Sequence, residues 1–458
     1  MRVSQHPKPA VPGVKIAIVA CAIVLCALAS LFVLWRGTNA AYVYALIVAA
    51  VPLGLVAIGR RPLRALLAAY VLAVPFDSIS DILPFGTVTK LLGALVAVAA
   101  ILAMLERRSR VRIPYAVFGW LLVVSLMALS LLWAIDPAES SRELGTMLLN
   151  FGLFALLALV PIEAEEVQWM LVATVASGAI AGIVAVVMTM HGTDFSGGRL
   201  FLAAGKSVTD PNGFAASLLL PVALAAAYAL RYRDWRALPF AGALVLGIAA
   251  MYFAASRGAF TALVAMGLIG ALHSGRRLRL FLVGLVLACT TAVLFTPNAI
   301  ALRFFAQSRA LSGAGRTSIW KVGLETFKSH WLFGRGFASF PSAYDQAFFS
   351  AYEPQFESWH RAPHSLLVST STELGIIGLV VLGIALALQY RAVAKPASKD
   401  NWMLLPLRVA FVGLLVASLF IDVLTRKYAW LVFMEMLLVA RLYHPAGAQR
   451  PVQAQRHG

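Results

Sequence analysis

The sequence predicts an all-α polytopic membrane protein, and three observations carry the prediction. Of its 458 residues, 61% are apolar and only 13% are charged, whereas soluble domains run near about a quarter charged. Apolar stretches recur from end to end, separated mostly by short polar connections. The basic residues concentrate in alternate connections, as they do when successive segments cross a membrane back and forth.

In order, the apolar segments lie at 14–35, 40–58, 63–76, 85–105, 113–134, 144–162, 167–190, 213–230, 237–255, 258–272, 280–296, 364–390, 404–421 and 428–442. They amount to about 12–14 transmembrane helices, because several fall short of the roughly 20 residues of a full crossing. Short segments such as 63–76 and 258–272 are candidates for tilted, broken or re-entrant pieces. The first, flanked by Lys15 and Arg36, reads as an uncleaved anchor rather than a signal peptide. The chain divides into an N-terminal transmembrane bundle (1–296), a long outer loop (297–363), C-terminal transmembrane helices (364–442) and a tail (443–458).

The net charge of +18 does not mark a nucleic-acid binder. Arg60, Arg61 and Arg64, then Arg107, Arg108, Arg110 and Arg112, then Arg231, Arg233 and Arg236 all fall on one side of the alternation. Arg276, Arg277 and Arg279, then Arg391, Lys395 and Lys399, continue the series, which defines the cytoplasmic side. Cys21, Cys26 and Cys289 lie inside apolar stretches, where a thiol behaves as a small hydrophobe.

Exceptions stand on the outer side. Arg199 and Lys206 lie between 191 and 212, and the loop at 297–363 nets +3 with Arg303, Arg309, Arg316 and Arg335 among its cations. A long loop escapes the charge bias, but Arg257, in the tight turn Ser256-Arg257-Gly258, does not. Arginines at the outer boundary can clamp a pyrophosphate through paired N–H donors. Within the loop, Thr317 to His330 has helical spacing, with Trp320, Gly323, Leu324, Phe327 and Trp331 on one face. A glycine-rich turn, Leu332-Phe333-Gly334-Arg335-Gly336-Phe337, ends it, and Tyr344–Tyr352 forms a second aromatic piece.

His364 follows Pro363 and is expected in the first turn of the next helix. There the helix dipole would lower its pKa and keep the ring neutral, as a general base requires. His191, His330 and His360 compete for that role, while His273 and His444 fall on the cytoplasmic side. Asp77 and Asp81 are two outer carboxylates without an evident third ligand, so no metal site is predicted, and no cofactor motif is present. Glu373 and Glu435 are the only acids inside the apolar segments, and Asp422 directly follows another. That is few for a flippase or transporter with a polar path through its bundle.

Pro363-His364-Ser365-Leu366-Leu367-Val368 through Glu373-Leu374-Gly375-Ile376-Ile377-Gly378-Leu379 resembles the signature of the O-antigen ligase and polymerase superfamily. Asp210-Pro211-Asn212-Gly213, Ser256-Arg257-Gly258-Ala259, Gly315-Arg316-Thr317-Ser318 and the glycine-rich turn agree with it in order, over residues 190–390. Ser365 stands where many relatives have Asn. The resemblance implies a metal-independent, inverting glycosyltransferase of the GT-C type in the bacterial inner membrane, with its long loop and active site facing the periplasm. It implies an undecaprenyl pyrophosphate-linked glycan as donor, and a lipid A–core or a growing glycan as acceptor. His364 then carries over as base, with Arg257, Arg199, Arg316 and Arg335 on the pyrophosphate. Ligase, polymerase and protein O-oligosaccharyltransferase are not separated by these residues.

Overall fold

The computed structural model describes residues 62–82, 86–107, 112–190, 210–273, 316–351, 360–394 and 401–443, with dipeptides at 195–196, 199–200, 203–204 and 207–208. The apolar segments at 14–35, 40–58 and 280–296 lie outside the described residues, as do Arg303, His191 and His444. The remaining eleven predicted segments are all helical. The membrane bundle opens with α1 (Pro62–Ala73), α2 (Val88–Arg107), α3 (Tyr115–Ser130), α4 (Pro137–Leu159) and α5 (Ala164–Met190). It continues with α6 (Pro211–Ser217), α7 (Leu219–Arg231), α8 (Ala237–Phe253) and α9 (Arg257–Leu272). The loop supplies α10 (Arg316–Ser329) and α11 (Phe340–Ala351), and the chain closes with α12 (Leu366–Arg391), α13 (Leu404–Ser418) and α14 (Lys427–Tyr443). Five spans, Val88–Arg107, Pro137–Leu159, Ala164–Thr189, Pro211–Arg231 and Leu366–Arg391, are long and apolar enough to cross a membrane. This is a multi-pass helical membrane protein.

Three two-residue ribbons are the only strands among the described residues: β1 (Asp81–Ile82) with β2 (Gly86–Thr87), β3 (Phe195–Ser196) with β4 (Arg199–Leu200), and β5 (Ala203–Ala204) with β6 (Ser207–Val208). All are local antiparallel hairpins in connections at one end of the bundle.

The two ends of the bundle differ in chemistry, as the charge pattern requires. At the basic end Arg107 holds both Glu166 carboxylate oxygens at 2.6–2.8 Å, and Arg64 pairs with Glu165 at 2.7 Å. Arg441 donates to the Ala158 and Val160 carbonyls, 3.0 and 2.8 Å away, at the end of α4. A cation there satisfies orphan carbonyls and complements the helix dipole. Between the ends, Trp120 of α3 stacks on Phe433 of α14 at 4.7 Å and donates its indole N–H to Gln389 of α12. Gln389 in turn donates to the Phe433 carbonyl at 3.0 Å, so this buried amide is satisfied on both sides.

The opposite end is built around a break in α12. Gly375 has φ 65° and ψ −160°, which interrupts the helix nine residues after its start at Leu366. The glycine-rich turn fills the break. Arg335 N–H donates to Thr372 O at 3.0 Å and Gly336 N–H to Glu373 O at 2.8 Å. In return Ile376 N–H donates to Trp331 O at 2.8 Å and Ile377 N–H to Leu332 O at 3.4 Å. The loop thus supplies the partners that the broken helix lacks. A Cβ on Gly334 would come within 2.3 Å of Glu373 C, and one on Gly375 within 2.3 Å of Leu332 O. The same turn reaches α3 and α4: Phe337 N–H donates to the Ser130 hydroxyl at 2.9 Å, and Ser140 donates to Phe337 O at 2.5 Å.

Two sequence expectations are corrected here. The packed stripe of α10 is Ile319, Val322, Gly323 and Thr326, whereas Leu324 and Trp331 are more than half exposed. Gly323 selects that face, because a Cβ there would lie 2.8 Å from Val368 of α12. His364 is not in the first turn of α12. It precedes the N-cap Ser365 and has φ 49°.

If the graft onto α12 holds the loop, Gly375→Ala should combine backbone strain with a clash and lower stability by about 1–3 kcal/mol or more. Gly383→Ala, in the same helix with nothing near its notional Cβ, should be neutral or gain up to about 1 kcal/mol. Thermal unfolding of the two purified variants, side by side in one detergent, checks the contrast.

Candidate functional site

Several helix starts meet at the loop-bearing end, and the sequence fixes each one locally. Asp210 is the N-cap of α6, accepting from Asn212 and Gly213 N–H at 3.2 and 3.1 Å, with Pro211 in the first helical position. Ser256 caps α9 by accepting from Ala259 N–H at 3.3 Å. Its hydroxyl also donates to the Asn212 side-chain oxygen at 3.0 Å. That bond ties the two motifs together. Ala255, just before the cap, has φ 46°, so the hairpin turns through a left-handed residue without glycine.

Arg316 opens α10 and is half-buried, as is Arg257. Burial holds the Arg316 guanidinium below its ordinary range, the neighbouring Arg257 charge adds to the effect, and Asp210 opposes it. Neither arginine has a carboxylate within ion-pair distance among the described residues. Two partly desolvated cations near each other repel, Asp210 offsets this only from beyond ion-pair distance, and a bound anion would relieve the repulsion.

His364 sits against the same charges. The Trp320 indole of α10 donates to Pro363 O at 3.1 Å and so fixes the backbone just before the ring. Burial lowers the imidazole pKa, Arg316 and Arg361 lower it further, and Asp210 pulls it up. The neutral ring is therefore favoured by burial and arginines rather than by the helix dipole expected from sequence. The left-handed backbone at a non-glycine residue costs of order 1 kcal/mol or more and belongs with functional positions.

The other candidates lie apart. Arg335 bonds His330 Nε2 at 2.8 Å and the Gln346 side chain, within the loop. Burial and Arg335 together lower the His330 pKa, against a bond that the ring donates to the Thr326 carbonyl. His360 is bound to Asp345 through its backbone N–H at 2.6 Å and its ring at 3.2 Å. His273 caps α9 at the basic end. The backbone of Arg199 is in β4, and its side chain lies outside the described residues, as does that of Asp81. The Asp77 carboxylate is taken by Lys427 at 2.6 Å, Thr87 at 2.8 Å and Thr89. Its charge is stabilised mainly by Lys427 against the cost of burial, which leaves it below the ordinary carboxylate range. No group of three or more His, Cys, Asp or Glu suited to a metal occurs among the described residues.

Sequence reasoning gave Asp210 and Arg361 no role. Asp210 was visible only as part of a motif, and its influence on Arg316 and His364 depends on contacts remote in sequence. Arg361 stands three residues before His364, and that adjacency was a usable signal.

Fold and site together define a polytopic membrane protein with an arginine- and histidine-lined site at one end of its bundle. Residues 242–383 match the family model described as O-Antigen ligase, a stretch that contains Arg257, Arg316, Arg335 and His364. The chain is also 26% identical over 293 residues to the exopolysaccharide production protein ExoQ of Rhizobium meliloti (strain 1021). That similarity covers 59% of this chain and 64% of the relative, so it spans less than the whole of either. Both findings support the O-antigen ligase and polymerase superfamily, whose signature the sequence resembles.

Because the shift of His364 is downward, its ring should stay neutral below the ordinary histidine value of about 6.5 and gain a proton only in more acidic solution. Removing a cation favours imidazolium, so Arg316→Ala should move that titration upward. The pH dependence of acylation of the neutral ring by diethylpyrocarbonate, followed at His364 by peptide mass spectrometry, would show both effects. A His364 titration at or above the ordinary value in the unaltered protein would contradict them.

Proposed function

We propose that the protein is a glycosyltransferase of the O-antigen ligase type. It moves a glycan from undecaprenyl pyrophosphate to an acceptor hydroxyl at the periplasmic face of the bacterial inner membrane. The observation that carries the reading is the pair Arg257 and Arg316, half-buried, mutually repulsive and without an ion-paired carboxylate, beside a histidine whose neutral form is favoured. Such a site fits a substrate that brings its own anion to the membrane boundary.

The chemistry is a single displacement. His364 accepts the proton of the acceptor hydroxyl as its oxygen bonds to the anomeric carbon of the donor sugar. The bond from that carbon to the phosphate oxygen breaks, and the electron pair leaves on the pyrophosphate. Arg257 and Arg316 stabilise the growing charge, with Arg199 as a further ligand expected from the resemblance, whereas Arg335 is held by His330 and Gln346. Attack opposite the leaving group inverts the anomeric centre. Pyrophosphate is already a competent leaving group, so neither a general acid nor a metal is needed.

A finished chain passed to lipid A–core makes the protein a ligase. The likeness to an exopolysaccharide production protein favours a second reading, a polymerase that joins one chain to the next repeat unit. The lipopolysaccharide and exopolysaccharide of a deletion strain separate them. Long polymer left on undecaprenyl pyrophosphate marks a ligase, and single repeats without polymer mark a polymerase.

With purified protein, a lipid-linked donor and a defined acceptor, His364→Ala should lose about 10²–10⁴-fold in transfer rate, the usual worth of a general base. Arg257→Ala should weaken donor binding, and Arg257→Lys should restore only part of it, lacking the bidentate fork. Transfer should persist in excess EDTA. An active His364→Ala enzyme, or activity restored only by Mg²⁺, would overturn the scheme.

A further inference from the structure

The connection from α13 to α14 lies at the loop-bearing end and carries Arg426, a cation that the charge bias does not explain. Like the Ser256–Gly258 turn, the connection is short, so Arg426 has no long loop to excuse its place. It is exposed, and among the described residues its guanidinium forms neither an ion pair nor a hydrogen bond. Its neighbour Lys427 differs, being held by Asp77, Thr87 and Thr89.

The turn that presents Arg426 is rigid. Leu424 N–H bonds the Asp422 carboxylate at 3.2 Å, Arg426 N–H bonds Val423 O at 3.0 Å, and Ala429 N–H bonds Arg426 O at 3.1 Å. From outside the turn, the Asn150 amide donates to Thr425 O at 3.2 Å. The same connection packs on the helix starts of the site. Phe420 lies 2.9 Å from where a Cβ on Gly258 would be, and Ile421 lies 3.8 Å from the corresponding point on Gly213. Those glycines directly follow Arg257 and Asn212.

A second observation stands two residues further on. Tyr428 is 8% exposed, and its hydroxyl is fully buried with no hydrogen-bond partner among the described residues. A buried donor left unmade is costly, which marks this phenol as waiting for an acceptor. Its surroundings include the charges of Arg426, Asp210 and Asp422. Asp210 acts on both Arg316 and Tyr428, so the turn and the Arg316 site share the neighbourhood of one helix cap.

We infer that the 422–428 turn is a second phosphate-binding element of this site, in which Arg426 and the Tyr428 hydroxyl bind oxygens of the lipid-borne pyrophosphate. The inference rests on the proposed donor class. A pyrophosphate carries two phosphoryl groups, and a site with arginines from separate elements can hold both. The phenol becomes accessible only when the ligand's entry separates Tyr428 from its neighbours.

The test is binding of undecaprenyl pyrophosphate itself to the purified full chain in nanodiscs, measured by titration, with undecaprenyl monophosphate as a second probe. Arg426→Ala should weaken pyrophosphate binding about ten- to a hundredfold, the worth of a charge-assisted bond, and should narrow its advantage over the monophosphate. Arg426→Lys should recover part of the loss. Tyr428→Phe, which keeps the ring packing and removes a costly unmade donor, should weaken binding several-fold while the ligand-free protein unfolds at the same or a higher temperature. Wild-type affinity in a folded Arg426→Ala protein, or no saturable binding by the wild type, would overturn the inference, and an unchanged Tyr428→Phe would remove the phenol from it. Glycan transfer is read separately. Weakened binding in a protein that transfers no glycan would leave the inference standing and defeat the glycosyltransferase reading, whereas transfer by Arg426→Ala with unchanged donor KM would do the reverse.

Discussion

Four backbone hydrogen bonds between the 331–336 turn and the break in α12 hold the outer loop to the membrane bundle. An interrupted helix in an apolar surrounding leaves amides and carbonyls that must find partners, at a cost of several kcal/mol for each one left unmet. Here the loop meets them, and the exchange is reciprocal. Glycine is required on both sides of the contact, since the backbones approach within what a single methyl group would occupy. The Glu373 carboxylate adds a further tie by accepting from Phe340 N–H at 3.3 Å, at the start of α11. Through these contacts α10 and α11 lie against α12, and the segment carrying Pro363 and His364 is bound to Trp320 of α10.

The site that results is under electrostatic and conformational tension. Arg257 and Arg316 lie near each other without a carboxylate at ion-pair distance among the described residues, and His364 has a left-handed backbone in a setting where burial, Arg316 and Arg361 outweigh Asp210 and disfavour its protonation. At the basic end, by contrast, Arg107 and Arg64 are matched with Glu166 and Glu165. The difference separates arginines that hold structure from arginines kept available. Their partners, rather than their number, make the distinction.

Much of the architecture was legible because a helix that crosses a membrane must be apolar over most of its length. Every predicted segment within the described residues is helical for that reason. The alternation of basic connections was equally plain, and the gathering of Arg64, Arg107 and Arg441 at one end of the bundle agrees with it. Less was visible where two elements meet. The stripe assigned to α10 from its aromatic residues was displaced, because the decisive residue was the small one, Gly323, and its need for close approach depends on Val368 in another helix. The continuous apolar run at 364–390 gave no sign that Gly375 breaks it, since hydropathy registers side chains and not backbone bonds. Arg335 seemed equivalent to Arg316 in spacing, yet its side chain is engaged with His330 and Gln346. Only the tertiary arrangement distinguishes the two.

The break in α12 also bears on how the chain is made. The turn that completes this helix precedes it in sequence, and so does the end of α3 that the turn touches through Ser130. When α12 leaves the ribosome and enters the membrane, its partner loop has already been synthesised. The unsatisfied backbone near Gly375, about 14 Å along the helix from its start, is then met by a segment made earlier. Docking of that segment completes the backbone hydrogen bonding of α12 as the helix takes its place in the bundle.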